Sequence, residues 1–323
     1  MSERSAQGDP RRRMKHVTER QKRLLARLVE RYVEANRPIP SATLAADLGV
    51  SPATVRYDLA DLEALGLVEK PHASAGRVPT ELGLRTYALG LLPPEPLPEQ
   101  TARVLSDALA RAGQDWPRLA AQMASRLARY PAVLRLLPRT SPRILRVHLS
   151  PLAGRRVLAV AVLEGGRLRE GTLLLPFEPS EELLAQAEEA LKKPRRPDEL
   201  AELKGSSPQI DALFRALAGA LGTARGERFF EGVSEVFSEP EASDPGFLRR
   251  LLALAEEPSH GPLAPPGGVN LRLEEGTAVV QVGFARAAWR GEVALLGPGR
   301  MRYRDALSVA YTLGNVLGGE HAD

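Results

Sequence analysis

The forty residues from Ser41 to Thr80, SATLAADLGV SPATVRYDLA DLEALGLVEK PHASAGRVPT, constrain this chain more than any other stretch. A short helical pattern opens with Ser41 as its cap, turns Leu44, Ala45 and Leu48 inward and ends at Gly49. Ser51 is a good N-cap and Pro52 suits the first helical position, where no amide hydrogen is needed, so another helix starts at once. In it Val55, Leu59 and Leu62 share one narrow arc at about 100° per residue, and Ala53, Thr54, Arg56, Tyr57 and Ala60 fall outside that arc. Leu67-Val68-Glu69-Lys70 reads as a strand and Arg77-Val78-Pro79 as its return, with the small-residue tip His72-Ala73-Ser74-Ala75-Gly76 between them. Helix, Gly turn, helix and basic hairpin form the layout of a winged helix-turn-helix, which lays its second helix in a DNA major groove and brushes the backbone with the wing.

The flanking residues complete that unit. Thr18-Glu19-Arg20-Gln21 is a capping box, and Leu25, Leu28, Val29, Tyr32 and Val33 behind it give one apolar stripe ending near Asn36. Arg37-Pro38-Ile39-Pro40 cannot continue a helix, because each Pro lacks a donor and restricts the residue before it. Thr80 caps a linker helix, Glu81 to Leu92, which Pro93-Pro94 stops. The expected DNA contacts are Ser51, Ala53, Thr54, Arg56 and Tyr57 on the recognition helix and His72, Ser74, Gly76 and Arg77 in the wing. Arg56 can fork onto a guanine edge, Thr54 and Tyr57 can take a thymine methyl or a phosphate, and Arg77 at the tip suits the backbone.

Charge points the same way. Residues 1–92 hold 15 Lys and Arg against 11 Asp and Glu, and residues 93–323 hold 29 of each, so the whole net charge of +4 sits on the segment expected to meet phosphates. Residues 1–16 read as a disordered basic arm. The chain has 43% hydrophobic residues but no apolar run long enough to span a membrane, and no apolar core of a signal peptide follows Arg11-Arg12-Arg13-Met14-Lys15. With no cysteine there are no disulfides and no thiolate zinc sites, and a cytoplasmic location is the expectation.

Beyond the Pro-rich hinge at residues 93–98 the chain changes character. Glu99 to Tyr130 is helical with a break near Gly113 to Pro117. Ile144 to Leu149, Arg156 to Leu163 and Arg167 to Leu175 read as strands, with a hairpin at Gly165-Gly166, and a helix follows from Ser180 to Leu191. The block 198–261 is helical, notably Pro208 to Leu221 and Pro245 to Glu257. Strands return at Gly268 to Leu273, Ala278 to Ala285 and Gly291 to Leu296, before a last helix from Tyr303 to Leu317. This is an α+β multidomain chain, an αβ sheet domain interrupted by helices. Gly297-Pro298-Gly299-Arg300 lacks the Lys-Ser/Thr of a phosphate loop and reads as a tight strand-to-helix turn. The five histidines show no ligand spacing, and His148 on an alternating strand reads as structural. No catalytic constellation and no cofactor motif stands out.

The run from Pro38 to Arg85 closely resembles the DNA-binding domain of HrcA, the bacterial heat-inducible transcription repressor family. The resemblance is carried by Ser51-Pro52-Ala53-Thr54-Val55-Arg56, by Asp61-Leu62-Glu63 with Leu65-Gly66-Leu67, and above all by Pro71-His72-Ala73-Ser74-Ala75-Gly76-Arg77-Val78-Pro79-Thr80. Tyr57-Asp58 stands where the family usually has Asn-Glu. Weaker likeness covers Met123 through Pro131, Phe237-Ser238-Glu239-Pro240 and Leu296-Gly297-Pro298-Gly299-Arg300-Met301. The resemblance implies four regions. These are the arm at 1–16, the winged helix-turn-helix and linker helix at 17–92, a GAF-like domain at 99–197 and 262–323, and an inserted helical dimerization domain at 198–261. It also implies a homodimer on the inverted-repeat operator CIRCE, repression of chaperone operons, and release on heat stress through the chaperonin GroEL. The alternative is a winged-helix regulator controlled by a small ligand in the GAF-like domain.

Overall fold

The computed structural model describes residues 17–72, 75–139, 143–222, 226–256, 263–287 and 289–319, so the basic arm at 1–16 lies outside the described residues. The N-terminal elements are α1 (Glu19–Ala35), α2 (Ser41–Leu48), α3 (Pro52–Ala64), β1 (Val68–Glu69), β2 (Val78–Pro79) and α4 (Glu81–Gly90). The capping box at Thr18 is formed on both sides, and Asn36 closes α1 in the left-handed conformation. Ser41 differs from expectation. It is the first residue of α2, and Pro40 holds the cap position without a side-chain bond, since its own ring already sets an extended approach to the helix. Leu24, Leu28, Leu44, Val55, Leu59 and Leu62 are fully or almost fully buried and form the three-helix core.

After the hinge come α5 (Glu99–Arg111), a 3-10 turn at Gly113–Asp115 and α6 (Trp116–Ala128). They lead into a five-stranded sheet of order β7-β3-β10-β9-β8, formed by β3 (Ala132–Pro138), β7 (Glu227–Glu231), β8 (Val269–Glu274), β9 (Thr277–Arg286) and β10 (Trp289–Pro298). The last helix, α11 (Tyr303–Gly318), runs along β9 and packs on α5 and α6. On the opposite sheet face α10 (Pro245–Glu256) buries Phe247, Leu251 and Ala255 against Val133, Val279, Ala294 and Leu296.

Two of these strands are new relative to the sequence reading. The AVLRLLP run of β3 is buried at its first five positions and so shows no alternation, the usual sign of a strand covered on both faces. The ERFFE strand β7 lies in a block whose overall pattern is helical.

Chain contacts divide the protein into two compact units. One comprises residues 1–135, 228–286 and 290–323, and the other residues 136–227 with 287–289. The second unit holds the three-stranded antiparallel sheet β4 (Ile144–Pro151), β5 (Arg156–Leu163) and β6 (Leu168–Leu174), with α7 (Glu181–Ala190), α8 (Pro197–Glu202) and α9 (Pro208–Gly222). Its hairpin turns at Gly165 and Gly166, both at positive φ (83° and 76°), as a two-residue connection between twisted strands requires. The 198–261 block is thus divided: α9 belongs to this unit and α10 to the other. Leu213, Phe214, Leu217 and Leu221 are fully buried in the core of the second unit, Phe247 and Leu251 are buried beside the five-stranded sheet, and Leu252 alone of the seven is exposed.

Candidate nucleic-acid interface

The recognition helix α3 begins as its sequence dictates. Ser51 Oγ accepts from the Thr54 amide at 3.1 Å and sits 2.8 Å from Thr54 Oγ1, so both hydroxyls are engaged in the cap. Val55, Leu59 and Leu62 face the core, and Ala53, Arg56 and Tyr57 are left on the outside. Tyr57 is 77% exposed, more than any other large hydrophobic side chain among the described residues. A phenol ring held in solvent at the presented end of a helix is suited to a base edge, a thymine methyl or a phosphate.

The first buried turn of α3 also carries a charge. Asp58, only 3% exposed, accepts a fork from Arg20: Nε to Oδ2 at 2.7 Å and Nη2 to Oδ1 at 2.8 Å. One turn on, Asp61 accepts from Gln21 Nε2 at 3.0 Å, and Gln21 Oε1 in turn accepts from the Thr18 amide. The capping box of α1 is therefore wired to the recognition helix. On the other flank Asp47 of α2 accepts from both Arg27 (2.8 Å) and Arg31 (2.7 Å for each of two bonds) of α1. These hydrogen bonds, Arg31's first, hold the Asp47 carboxyl well below the usual carboxylate range. Much of the positive charge of 17–92 is thus spent inside the domain. Arg56 and Lys70 are exposed and have no ion-pair partner among the described residues.

The wing departs from the simplest expectation. His72 is exposed, as a phosphate contact requires, and Ser74 lies outside the described residues. Gly76 and Arg77 stand at the base of the wing and not at its tip. Arg77 exchanges two backbone hydrogen bonds with Ile39, each 2.9 Å, a single antiparallel bridge that ties the α1–α2 connection to the base of the wing. A Cβ on Gly76 would lie 2.3 Å from the Ile39 carbonyl oxygen, so the glycine is needed for this internal crossing. The Arg77 side chain donates through Nη2 to Glu63 Oε2 of α3 at 2.9 Å. Sequence spacing gave no sign of the Arg77 pair. A sign of the Arg20 pair did exist, because Asp58 falls at i+3 from Val55 and i−4 from Leu62, inside the apolar arc.

Comparison with known proteins gives the same picture over most of the chain. Residues 16–89 match the family described as "Winged helix-turn-helix transcription repressor, HrcA DNA-binding", and residues 114–307 match "HrcA protein C terminal domain". The chain is 30% identical to the heat-inducible transcription repressor HrcA of Thermomicrobium roseum, over 93% of this chain and 94% of that protein. It is 28% identical to the same repressor of Moorella thermoacetica, over 93% and 97%. A crystal structure of a protein described only as hypothetical shares the fold with a TM-score of 0.52 at 23% identity, over 95% of this chain and 98% of the other.

Proposed function

The chain belongs to the HrcA family of heat-inducible transcription repressors, and from that premise we propose that it represses chaperone operons by occupying an inverted-repeat operator of the CIRCE type as a homodimer. The observation that carries this reading is the outward face of α3, where Arg56 and the 77%-exposed Tyr57 are open to solvent, as are Lys70 and His72 of the wing. A single winged helix offers few base contacts, so an operator-specific repressor needs two copies at fixed spacing. Ala53, Thr54, Arg56 and Tyr57 are the proposed groove contacts, with Ser51 and His72 on phosphates. Arg77 joins them only when it leaves Glu63.

The sheet with α11 on one face and α10 on the other supports the GAF-like reading of the C-terminal region. Dimerization fits the second unit best, since the outer face of β6 leaves Leu168 and Leu174 about 70% exposed (70% and 71%). Release on heat follows, in this proposal, from loss of DNA-competent repressor when chaperonin is diverted to other clients. Gel shifts of the full chain on a CIRCE-type repeat and on a scrambled repeat of equal composition test the reading. A retarded band on the repeat at a concentration at least tenfold below that for the scrambled DNA is expected. Equal affinity for both would overturn it.

A further inference from the structure

Two motifs singled out in the sequence, Phe237-Ser238-Glu239-Pro240 and Gly297-Pro298-Gly299-Arg300, come together around one guanidinium. Arg300, in the turn between β10 and α11, has a side chain only 8% exposed. Its Nε and Nη2 each donate to a carboxylate oxygen of Glu241 at 2.6 Å, and Nη2 also donates to Glu239 Oε2 at 3.0 Å. Nη1 points elsewhere: it donates at 3.2 Å to the carbonyl of Val33, in the last turn of α1 of the DNA-binding domain. Burial works to lower the guanidinium's pKa, but the hydrogen bonds and charge of Glu241, with the charge of Glu239, raise it above its ordinary value. The cation is therefore held permanently, and a cation aimed at the carbonyl end of a helix also suits the helix dipole.

The rest of the seam around Val33 is sparse. Arg304 reaches Glu30 at 3.7 Å, and Tyr87 of α4 meets Tyr303 edge-on at 6.5 Å between ring centroids. A cavity of about 500 Å3 opens between α1 and the start of α11, lined on one side by Val29, Glu30 and Val33 and on the other by Met301 and Arg304. Core packing joins the two domains at α4, which lies on β8 and buries Tyr87, but it does not extend to the end of α1 around Val33. The bond from Arg300 to the Val33 carbonyl reaches the backbone of α1 from the sheet domain. Tyr130 and Tyr303 brace the turn that carries Arg300, Tyr130 Oη accepting from the Arg302 amide at 2.9 Å and Tyr303 Oη donating to the Gly299 carbonyl at 2.6 Å.

We infer that Arg300 is a positioning residue for DNA binding: by gripping the end of α1 it holds the DNA-binding domain in one orientation on the sheet domain, so that two recognition helices meet an inverted repeat in register. This rests on the operator reading above. The Pro-rich hinge alone is a tether, and a tethered domain must give up orientational freedom each time both half-sites are engaged.

The test uses the full chain carrying Arg300→Met together with Glu241→Met. That pair removes one cation and one anion, and Glu239 keeps Arg302 at 3.5 Å. Replacing a buried ion pair with apolar groups of similar size is commonly tolerated, and an unchanged circular-dichroism melt checks the fold. Hydrogen exchange should rise in residues 28–36 of the variant without rising in α3. Affinity for a two-half-site repeat should fall about tenfold or more while affinity for a single half-site stays as it was. If the melt shows the double variant unfolded, Arg300→Lys takes its place with the same two readouts, because it keeps the charge and loses the fork. Unchanged exchange in residues 28–36 overturns the grip, and raised exchange with unchanged repeat affinity overturns the positioning role. A wild-type chain that fails to discriminate the repeat refutes the operator reading, and the exchange data still decide the grip.

Discussion

Arg20 forks onto Asp58 across the first and third helices of the DNA-binding domain, and the carboxylate it grips is buried while the guanidinium edge is open to solvent. This bond fixes the rotation of the recognition helix about its own axis, because Asp58 is one turn from Thr54 and beside Tyr57. Asp58→Ala removes the acceptor and frees Arg20 to water. It is expected to destabilise the domain by about 1–2 kcal/mol and to weaken operator binding without touching DNA. Thermal unfolding and gel shifts of the same preparation check both effects. A folded variant of unchanged melting temperature would show that the bond contributes nothing.

By sequence alone Arg56 suits the groove and Arg77 the DNA backbone. The structure separates them, since Arg56 is exposed without an ion-pair partner among the described residues and Arg77 is tied to Glu63. Arg56→Ala should therefore cost about 1–3 kcal/mol of operator affinity, measured by titration at fixed salt. The informative change in the wing is Glu63→Gln. Freeing Arg77 from its carboxylate should raise affinity for operator and random DNA alike and steepen the salt dependence by roughly one phosphate contact. A lower affinity for all DNA would mean that the pair itself sets the wing's shape.

Gly76→Ala tests the wing's backbone. The added methyl would sit 2.3 Å from the Ile39 carbonyl oxygen, and that carbonyl is fixed by the Arg77 amide. Neither backbone can yield without breaking the Ile39–Arg77 pairing, so a loss of about 1–3 kcal/mol in urea unfolding is expected. A loss below about 0.5 kcal/mol would indicate that the crossing relaxes freely.

How much of this was legible in the sequence follows from the range of the interactions involved. The helix caps at Thr18, Ser51 and Thr80 and the arc of Val55, Leu59 and Leu62 are local, and each is formed as the spacing implies. The Arg77–Glu63 and Arg300–Val33 contacts span 14 and 267 residues, and no periodicity encodes such pairings. Glu292 makes the same point. A glutamate in an apolar run looks like an exposed position, yet it is fully buried in the sheet, where it accepts from Arg135, Gln281 and the Ala264 amide.

Acid should act on the DNA-binding domain through Asp47. Its carboxyl is held well below the usual range by Arg31 and Arg27, so the folded state binds its proton less readily than the unfolded state, whose value is about 3.9. The resulting stabilisation is complete above that unfolded value and is lost as pH falls below it, through the depressed folded one. Asp47→Asn keeps the shape and removes the linkage. The variant is expected to melt lower than the wild type at pH 7, with the gap narrowing between pH 5 and pH 2. Melting curves that stay parallel over that range would exclude an Asp47 contribution.

The dimer proposal turns on the outer face of the three-stranded sheet. Along β6, Leu173 points into the core of the second unit, and Leu168 and Leu174 take the opposite face with about 70% of each exposed (70% and 71%). The strand register sets Leu168 beside Val162 and Thr172 beside Leu158 of β5, both of which are half-buried, so the apolar area continues across two strands. Such an open face on an edge hairpin is the kind of surface that a second copy covers. Leu168→Glu with Leu174→Glu changes only side chains already in water, so the monomer fold should survive. Sedimentation is expected to show a dimer for the wild type and monomers for the double variant. Affinity for an inverted repeat should then collapse toward that for a single half-site, a loss of order 10²–10⁴ if the two sites act together. A double variant that sediments as a dimer with full operator affinity would move the interface off this sheet.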